Sequence, residues 1–168
     1  MARKIIVVTA AYGNDQVKAL GGQSAVLPFI AGSGADGVEI RRELFSADEL
    51  NGLAELAADI EHRGLLVCYS APEALFAADG SLNPHLTDFL QEAQTLNALW
   101  LKLSLGHFTH NNDLETLRDI LRESGMALVV ENDDAMRRAL ELSSSNIIIV
   151  HNHPTRDFSV TRTPIQPR

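Results

Sequence analysis

Charged side chains occupy alternate positions in one short stretch of the chain, Gly37–Phe45 (GVEIRRELF). Because successive side chains of a strand point to opposite faces, Glu39, Arg41 and Glu43 share one face, opposite a largely apolar one. A polar row of this kind is costly inside a parallel sheet that is covered on both sides. At the C-terminal mouth of a barrel it would form an active-site wall, and on an edge strand it would be a solvated face.

Four other predicted strands carry a polar side chain at or near their C-terminal end: Thr9, Tyr69, Lys102 and Glu131. Parallel strands of a barrel bring these ends to one mouth, so we expect the four side chains to converge there with the polar row. Structural alternatives stay open for each of them. Lys102 could extend out of the barrel end into solvent, and Glu39 with Arg41 could form an ion pair that binds no ligand.

The elements that must position these groups alternate between strand and helix. Apolar runs rich in β-branched residues predict six strands, at Lys4–Thr9, Gly37–Phe45, Leu65–Ser70, Ala98–Leu105, Met126–Glu131 and Asn146–Val150. Apolar residues at helical spacing predict helices at Asn14–Ala31, weakened by Gly21–Gly22, and at Asp48–Arg63, Pro84–Asn97, Asp113–Ser124 and Ala135–Leu142. Short links between them indicate an α/β fold of five to six parallel βα units. The first turn (AAYGND) lacks a nucleotide-binding glycine pattern, which favours a TIM-type barrel over a doubly wound sheet.

Three segments of residues 1–134, GADGVEIRRELF, KLSLG and LVVEND, resemble the xylose isomerase-like TIM barrels, the superfamily of sugar phosphate isomerases and epimerases. The resemblance implies a small sugar or sugar phosphate as substrate and Glu131 as a ligand of a divalent metal (Mn, Mg or Zn). It also implies catalytic roles for Glu39 and Lys102, and substrate contacts for Arg41, Tyr69 and Asn132. A carboxylate-bound cation of this kind would polarise a sugar carbonyl or hydroxyl.

The sequence departs from that family after Glu131, where 37 residues remain. Three further βα units would need about 90 residues. We therefore expect an incomplete barrel with an irregular tail, impaired activity and a homo-oligomer that covers the open barrel. Whether the metal is retained stays open.

The tail, residues 135–168, differs from the rest in composition. Residues 1–134 carry 9 Lys and Arg against 20 Asp and Glu, whereas residues 135–168 carry 5 against 2. The segment ALELSSSNIIIVHNHPT resembles the RadC family of JAB/JAMM metalloprotease-like domains, which implies a zinc pair at His151 and His153. The third ligand of that family falls on Pro164, which cannot bind a metal. Two histidines in a solvated loop is the alternative.

Three functions follow from these resemblances. The first is a sugar phosphate isomerase or epimerase, the second a zinc hydrolase-like protein associated with DNA repair, and the third a non-enzymatic interaction protein. The net charge of −8 argues against nucleic acid as a partner. The single cysteine, Cys68, lies in an apolar run and is expected to be buried and unreactive. Because no signal peptide or membrane span is recognisable, we expect a cytoplasmic protein.

Overall fold

The computed structural model describes residues 3–109 and 111–131, and the backbone of residues 147–149. Within these ranges six strands form one sheet: β1 (Ile6–Val8), β2 (Gly37–Arg41), β3 (Leu66–Phe76), β4 (Leu101–Gly106), β5 (Leu128–Glu131) and β6 (Ile147–Ile149). Each strand pairs in parallel with its neighbours in sequence, in the order β1-β2-β3-β4-β5-β6. The predicted α/β fold of parallel βα units is confirmed, and so is the sixth strand.

The described residues include six α-helices: α1 (Asn14–Ala19), α2 (Leu27–Gly32), α3 (Ala47–Asn51), α4 (Leu53–His62), α5 (Leu86–Thr95) and α6 (Leu114–Ser124). Short 3₁₀ turns lie at Thr9–Tyr12, Gln23–Val26 and Arg42–Leu44. The three longest helices bury the stripes that their spacing predicts, which include Leu56 and Ile60 of α4, Phe89 and Leu90 of α5, and Leu117 and Leu121 of α6. These side chains form the core together with one face of the sheet.

The register of the sheet separates two sets of side chains. Residues that pair side by side in parallel strands point to the same face. The face that carries Glu39, Arg41, Cys68, Ser70, Lys102 and Glu131 is called here the polar face. The opposite face, called here the helix face, carries Val38, Ile40, Tyr69, Leu101, Leu103 and Leu128, and it packs against the helices.

Several elements end where the sequence did not predict. The first predicted helix is broken at Gly21 and Gly22, which have φ angles of 103° and 119°. Strand β3 continues to Phe76 instead of ending at Ser70, because a register shift between Ser70 and Ala74 accommodates the segment that contains Pro72. Strand β2 ends at Arg41, and the next three residues form a 3₁₀ turn.

The order of the sheet and its helix layer give an incomplete (β/α) barrel, with β1 and β6 at the two ends of the strand order among the described residues. The predicted helix at residues 135–142 lies outside the described residues. None of the helices in the described ranges has the length and hydropathy that a bilayer-spanning segment requires.

Candidate functional site

A lysine bridges two glutamates on the polar face. The Nζ atom of Lys102 lies 2.8 Å from Oε1 of Glu39 and 3.8 Å from Oε2 of Glu131. The side chains of Lys102 and Glu39 are each 16% exposed, whereas that of Glu131 is 44% exposed. The sheet therefore places side chains from β2, β4 and β5 in one cluster. The two most buried members of the cluster, Glu39 and Lys102, form an ion pair.

A second ion pair continues this cluster beyond the end of β2. Arg41 donates from Nε to Oε1 of Glu43 at 2.8 Å, and its Nη2 atom lies 2.6 Å from the same oxygen. Its Nη1 atom lies 3.6 Å from Oε1 of Glu39, which links the two pairs. Burial alone would lower the pKa of Arg41, but its hydrogen bonds and charge pairing with Glu43, and the charge of Glu39, raise that pKa above its ordinary value.

The backbone beneath this cluster is held by Gln23, which is fully buried. Its Oε1 atom accepts from the Arg41 N–H at 2.9 Å and from the Thr9 hydroxyl at 2.7 Å, and its Nε2 atom donates to the Arg41 carbonyl at 2.9 Å. A side-chain amide thus pairs with the end of β2 as a neighbouring strand would. The role of Gln23 was not predicted from the sequence. The one local signal is a glutamine placed between two glycines and an apolar run.

Cys68 lies on the polar face beside Glu39 and is 1% exposed. Burial raises the pKa of its thiol, and the negative charge of Glu39 raises it further against the opposing effect of Lys102, to about 12. The thiol is therefore uncharged at neutral pH. The prediction that Cys68 is buried is confirmed.

Tyr69 does not face the cluster, and its predicted place on the inner face is wrong. It lies beside Ile40 on the helix face and is fully buried, with its hydroxyl donating to Glu92 of α5. Burial and this contact raise the pKa of Tyr69. Arg42 also binds Glu92, through Nε at 2.8 Å and Nη2 at 3.0 Å, so the network joins the end of β2 to α5. Neighbouring residues on a strand cannot share a face, and Cys68 already takes the polar one.

Three other predicted site residues, Asn132, His151 and His153, lie outside the described residues. Their roles in substrate binding and in zinc binding stay predictions.

The described part of the polar face does not fit the divalent metal that the resemblance implied. A metal site needs several converging oxygen or nitrogen ligands. Within the described residues no three His, Cys, Asp or Glu side chains are grouped in a way that could hold a metal ion. The Glu39 and Glu131 carboxylates are instead paired with the Lys102 ammonium, at 2.8 Å and 3.8 Å.

The fold is similar to that of several solved sugar isomerases and epimerases. A D-psicose 3-epimerase, whose structure was determined in the presence of D-fructose, matches 89% of this chain with a TM-score of 0.62 and 11% identity. A xylose isomerase domain protein from Planctomyces limnophilus matches 73% with a TM-score of 0.56 and 12% identity. A sugar phosphate isomerase/epimerase from Parabacteroides distasonis matches 90% with a TM-score of 0.54 and 11% identity.

The chain spans 63% of the length of that D-psicose 3-epimerase, 55% of the xylose isomerase domain protein and 68% of the third protein. At these identities the likeness shows the fold alone, and the predicted TIM-type fold is confirmed. No protein-family model matches the sequence, and no curated protein matches it.

Proposed function

We propose that this protein is an isomerase or epimerase-like protein that binds a small sugar on the polar face. One observation carries the proposal: three parallel strands of one sheet, β2, β4 and β5, bring Glu39, Lys102 and Glu131 together in one ion-paired cluster on the polar face. Barrel enzymes build their sites at the C-terminal ends of strands, and two residues of this ion-paired group, Glu131 and Arg41, are the last residues of β5 and β2. The structurally similar proteins, whose names describe sugar isomerases and epimerases, supply the reaction class.

The chemistry of this reaction class suits Glu39 and Lys102. Epimerisation or isomerisation of a ketose removes a proton from a carbon beside the carbonyl and returns it, either to the other face or to a neighbouring carbon. The Glu39 carboxylate would accept that proton and later give it back, so no atom is gained or lost overall. The Lys102 ammonium would donate a hydrogen bond to the oxygen on which negative charge develops. Their 2.8 Å contact keeps both groups within reach of one small substrate.

The remaining cluster residues would bind the sugar. Glu131 is the most exposed of the three clustered charges, which makes its carboxylate accessible to a sugar hydroxyl. Arg41 stands at the end of β2 beside Glu39. No step of this proposal uses a divalent metal, because Lys102 already supplies the positive charge that faces both carboxylates.

The test is deuterium exchange into a ketose. The protein is incubated with D-fructose or D-tagatose in D₂O, and nuclear magnetic resonance follows exchange at the carbons beside the carbonyl. We expect exchange above the uncatalysed rate, and a reduction of at least about 100-fold in Glu39→Gln, because a general base contributes factors of that size. Lys102→Met should reduce exchange as well.

Glu123→Gln is the matched control, because Glu123 is an exposed carboxylate on α6, outside the cluster. It should exchange at the wild-type rate. Equal exchange by the wild type and Glu39→Gln would remove Glu39 from the reaction. Absence of exchange and of any ketose binding by the wild type would remove the proposed function.

A further inference from the structure

We propose that the polar face selects an uncharged sugar over its phosphate ester, and that Glu43 determines this selectivity. The inference rests on the proposed function, and it chooses between the two substrate classes that the resemblance left open. It is argued from how the charges of the cluster are distributed.

Both cations of the cluster are already paired with carboxylates. Lys102 lies between Glu39 and Glu131, and Arg41 lies between Glu43 and Glu39. In this part of the described chain, three carboxylates therefore face two cations. A phosphate dianion needs a cation or a set of N–H donors that is not already paired. A sugar hydroxyl can donate to a carboxylate and accept from an ammonium, so it needs no change in the pairing.

The next arginine along the chain does not supply the missing charge. Arg42 points to the other layer, where Nε and Nη2 bind the Glu92 carboxylate and the guanidinium lies 4.8 Å from the centre of the Phe89 ring. Its remaining ion-pair partner, Glu73, lies 3.7 Å away. Its hydrogen bonds with Glu92 raise the pKa of Arg42, so the Arg42 side chain stays charged and paired with Glu92 in the helix layer.

Glu43 holds the Arg41 guanidinium most closely. Oxygen Oε1 of Glu43 takes both short contacts with Arg41, while Oε2 is buried and has no hydrogen-bond partner among the described residues. A phosphate that approached Arg41 would meet this carboxylate as a neighbouring like charge in a partly desolvated place. Glu43 therefore holds Arg41 in an ion pair and also repels an anion that approaches Arg41.

The experiment measures the affinity of D-fructose and of D-fructose 6-phosphate for three proteins by isothermal titration. The proteins are the wild type, Glu43→Gln and the control Glu123→Gln, which loses one negative charge on the exposed side of α6, outside the cluster. We expect the wild type and the control to bind the neutral sugar more tightly than its phosphate. In Glu43→Gln the ratio of phosphate affinity to neutral-sugar affinity should rise at least tenfold. Circular dichroism checks that each variant is folded.

Glu131→Gln provides a second variant, since it removes one carboxylate from Lys102. It should raise the same ratio even if Glu43→Gln fails to fold. Tighter binding of the phosphate than of the neutral sugar by the wild type would overturn the inference and leave the proposed function intact. An unchanged ratio in every folded variant of Glu43 and Glu131 would also overturn it. Failure of all the proteins to bind either sugar would remove the proposed function and the inference together.

Discussion

At the scale of single residues, the position of a side chain along its strand decides whether it can belong to the site. Glu39, Arg41, Lys102 and Glu131 share the polar face, as predicted, because they occupy matching registers of β2, β4 and β5 across the sheet. Tyr69 is one residue out of phase and therefore contributes to the helix layer. The ion pair between Glu39 and Arg41, the structural alternative left open by the sequence, is present at 3.6 Å. Side chains that are already ion-paired can bind a substrate only if the substrate forms hydrogen bonds with them while the ion pairs persist.

The buried thiol of Cys68 predicts a specific loss of stability at alkaline pH. Its folded pKa of about 12 exceeds that of an unfolded cysteine, about 8.5, so the folded state keeps a proton that the unfolded state releases. The contribution is complete below the unfolded value and is lost as pH rises toward 12. Between pH 9 and 11, the free energy of unfolding of the wild type should fall by about 1.4 kcal/mol per pH unit more than that of Cys68→Ala. Urea unfolding at several pH values measures both slopes.

The comparison of slopes separates this effect from the cavity that the alanine leaves, because a cavity lowers stability equally at every pH. The other groups that titrate in this pH range are the same in both proteins, so their contributions to the two slopes cancel. Parallel slopes for the wild type and Cys68→Ala would mean that the thiol ionises as easily in the folded protein as in the unfolded one.

At the scale of elements, Gly106 fixes how β4 ends against β3. It has a φ angle of 70° and pairs with Phe76, whose carbonyl oxygen accepts from the His107 N–H at 3.1 Å. A Cβ atom on Gly106 would collide with that carbonyl oxygen and lie 2.6 Å from the Cβ atom of Ala74. The end of β4 therefore requires a glycine for two reasons, the backbone angle and the close approach.

We predict that Gly106→Ala lowers the free energy of unfolding by about 3 kcal/mol or more, since backbone strain and a backbone collision add. Gly64→Ala is the matched control, because Gly64 has the same φ angle of 70° and its added Cβ would have no atom within 4 Å. It should cost about 1 kcal/mol. Denaturant unfolding of both variants isolates the collision as the difference. Equal losses would show that β3 and β4 can separate at this point.

The strands and the longer helices could be predicted because local patterns determine them. The apolar stripe of α4 and the β-branched run of β1 are both visible over a few residues. The end of β3 could not be predicted, because Pro72 normally interrupts a strand and only the pairing with β4 beyond the register shift extends it. Gln23 was missed for the same reason: its partners, Thr9 and Arg41, are 14 and 18 residues away, so no local pattern reports the contact.

At the scale of the whole molecule, the sheet order explains how charges from distant parts of the sequence come together. Lys102 and Glu39 are 63 residues apart, and the strand that lies between them in the sheet contributes Cys68 and Ser70 to the same face. Each βα unit adds one strand in sequence order, so the polar face gathers one or two side chains from each unit. The cluster therefore forms only when β2, β3, β4 and β5 all keep their register. A ligand bound to the cluster should therefore change the melting temperature of the protein.

The response of thermal unfolding to Mn²⁺ tests how Lys102 and a metal compete. A ligand that binds only the native state raises the melting temperature, and the Lys102 ammonium is already paired with Glu39 and Glu131. Because both carboxylates are already paired with Lys102, we expect millimolar Mn²⁺ to shift the melting temperatures of the wild type and Glu131→Gln equally. In Lys102→Met the two carboxylates lose their ammonium, and Mn²⁺ should give a larger rise. Differential scanning fluorimetry with and without EDTA measures each shift against the metal-free melting temperature of the same variant.

The double variant Lys102→Met with Glu131→Gln is the control for that rise. It lacks the ammonium, as Lys102→Met does, and it also lacks one of the two carboxylates that could bind Mn²⁺. Its Mn²⁺ response should return to the wild-type value. The opposite pattern, a rise in the wild type that Glu131→Gln abolishes, would show that Glu131 holds a metal in spite of the nearby ammonium. Lys102 would then have to move aside in the metal-bound protein, and the metal-dependent chemistry that the resemblance implied would replace the one proposed for Glu39 and Lys102.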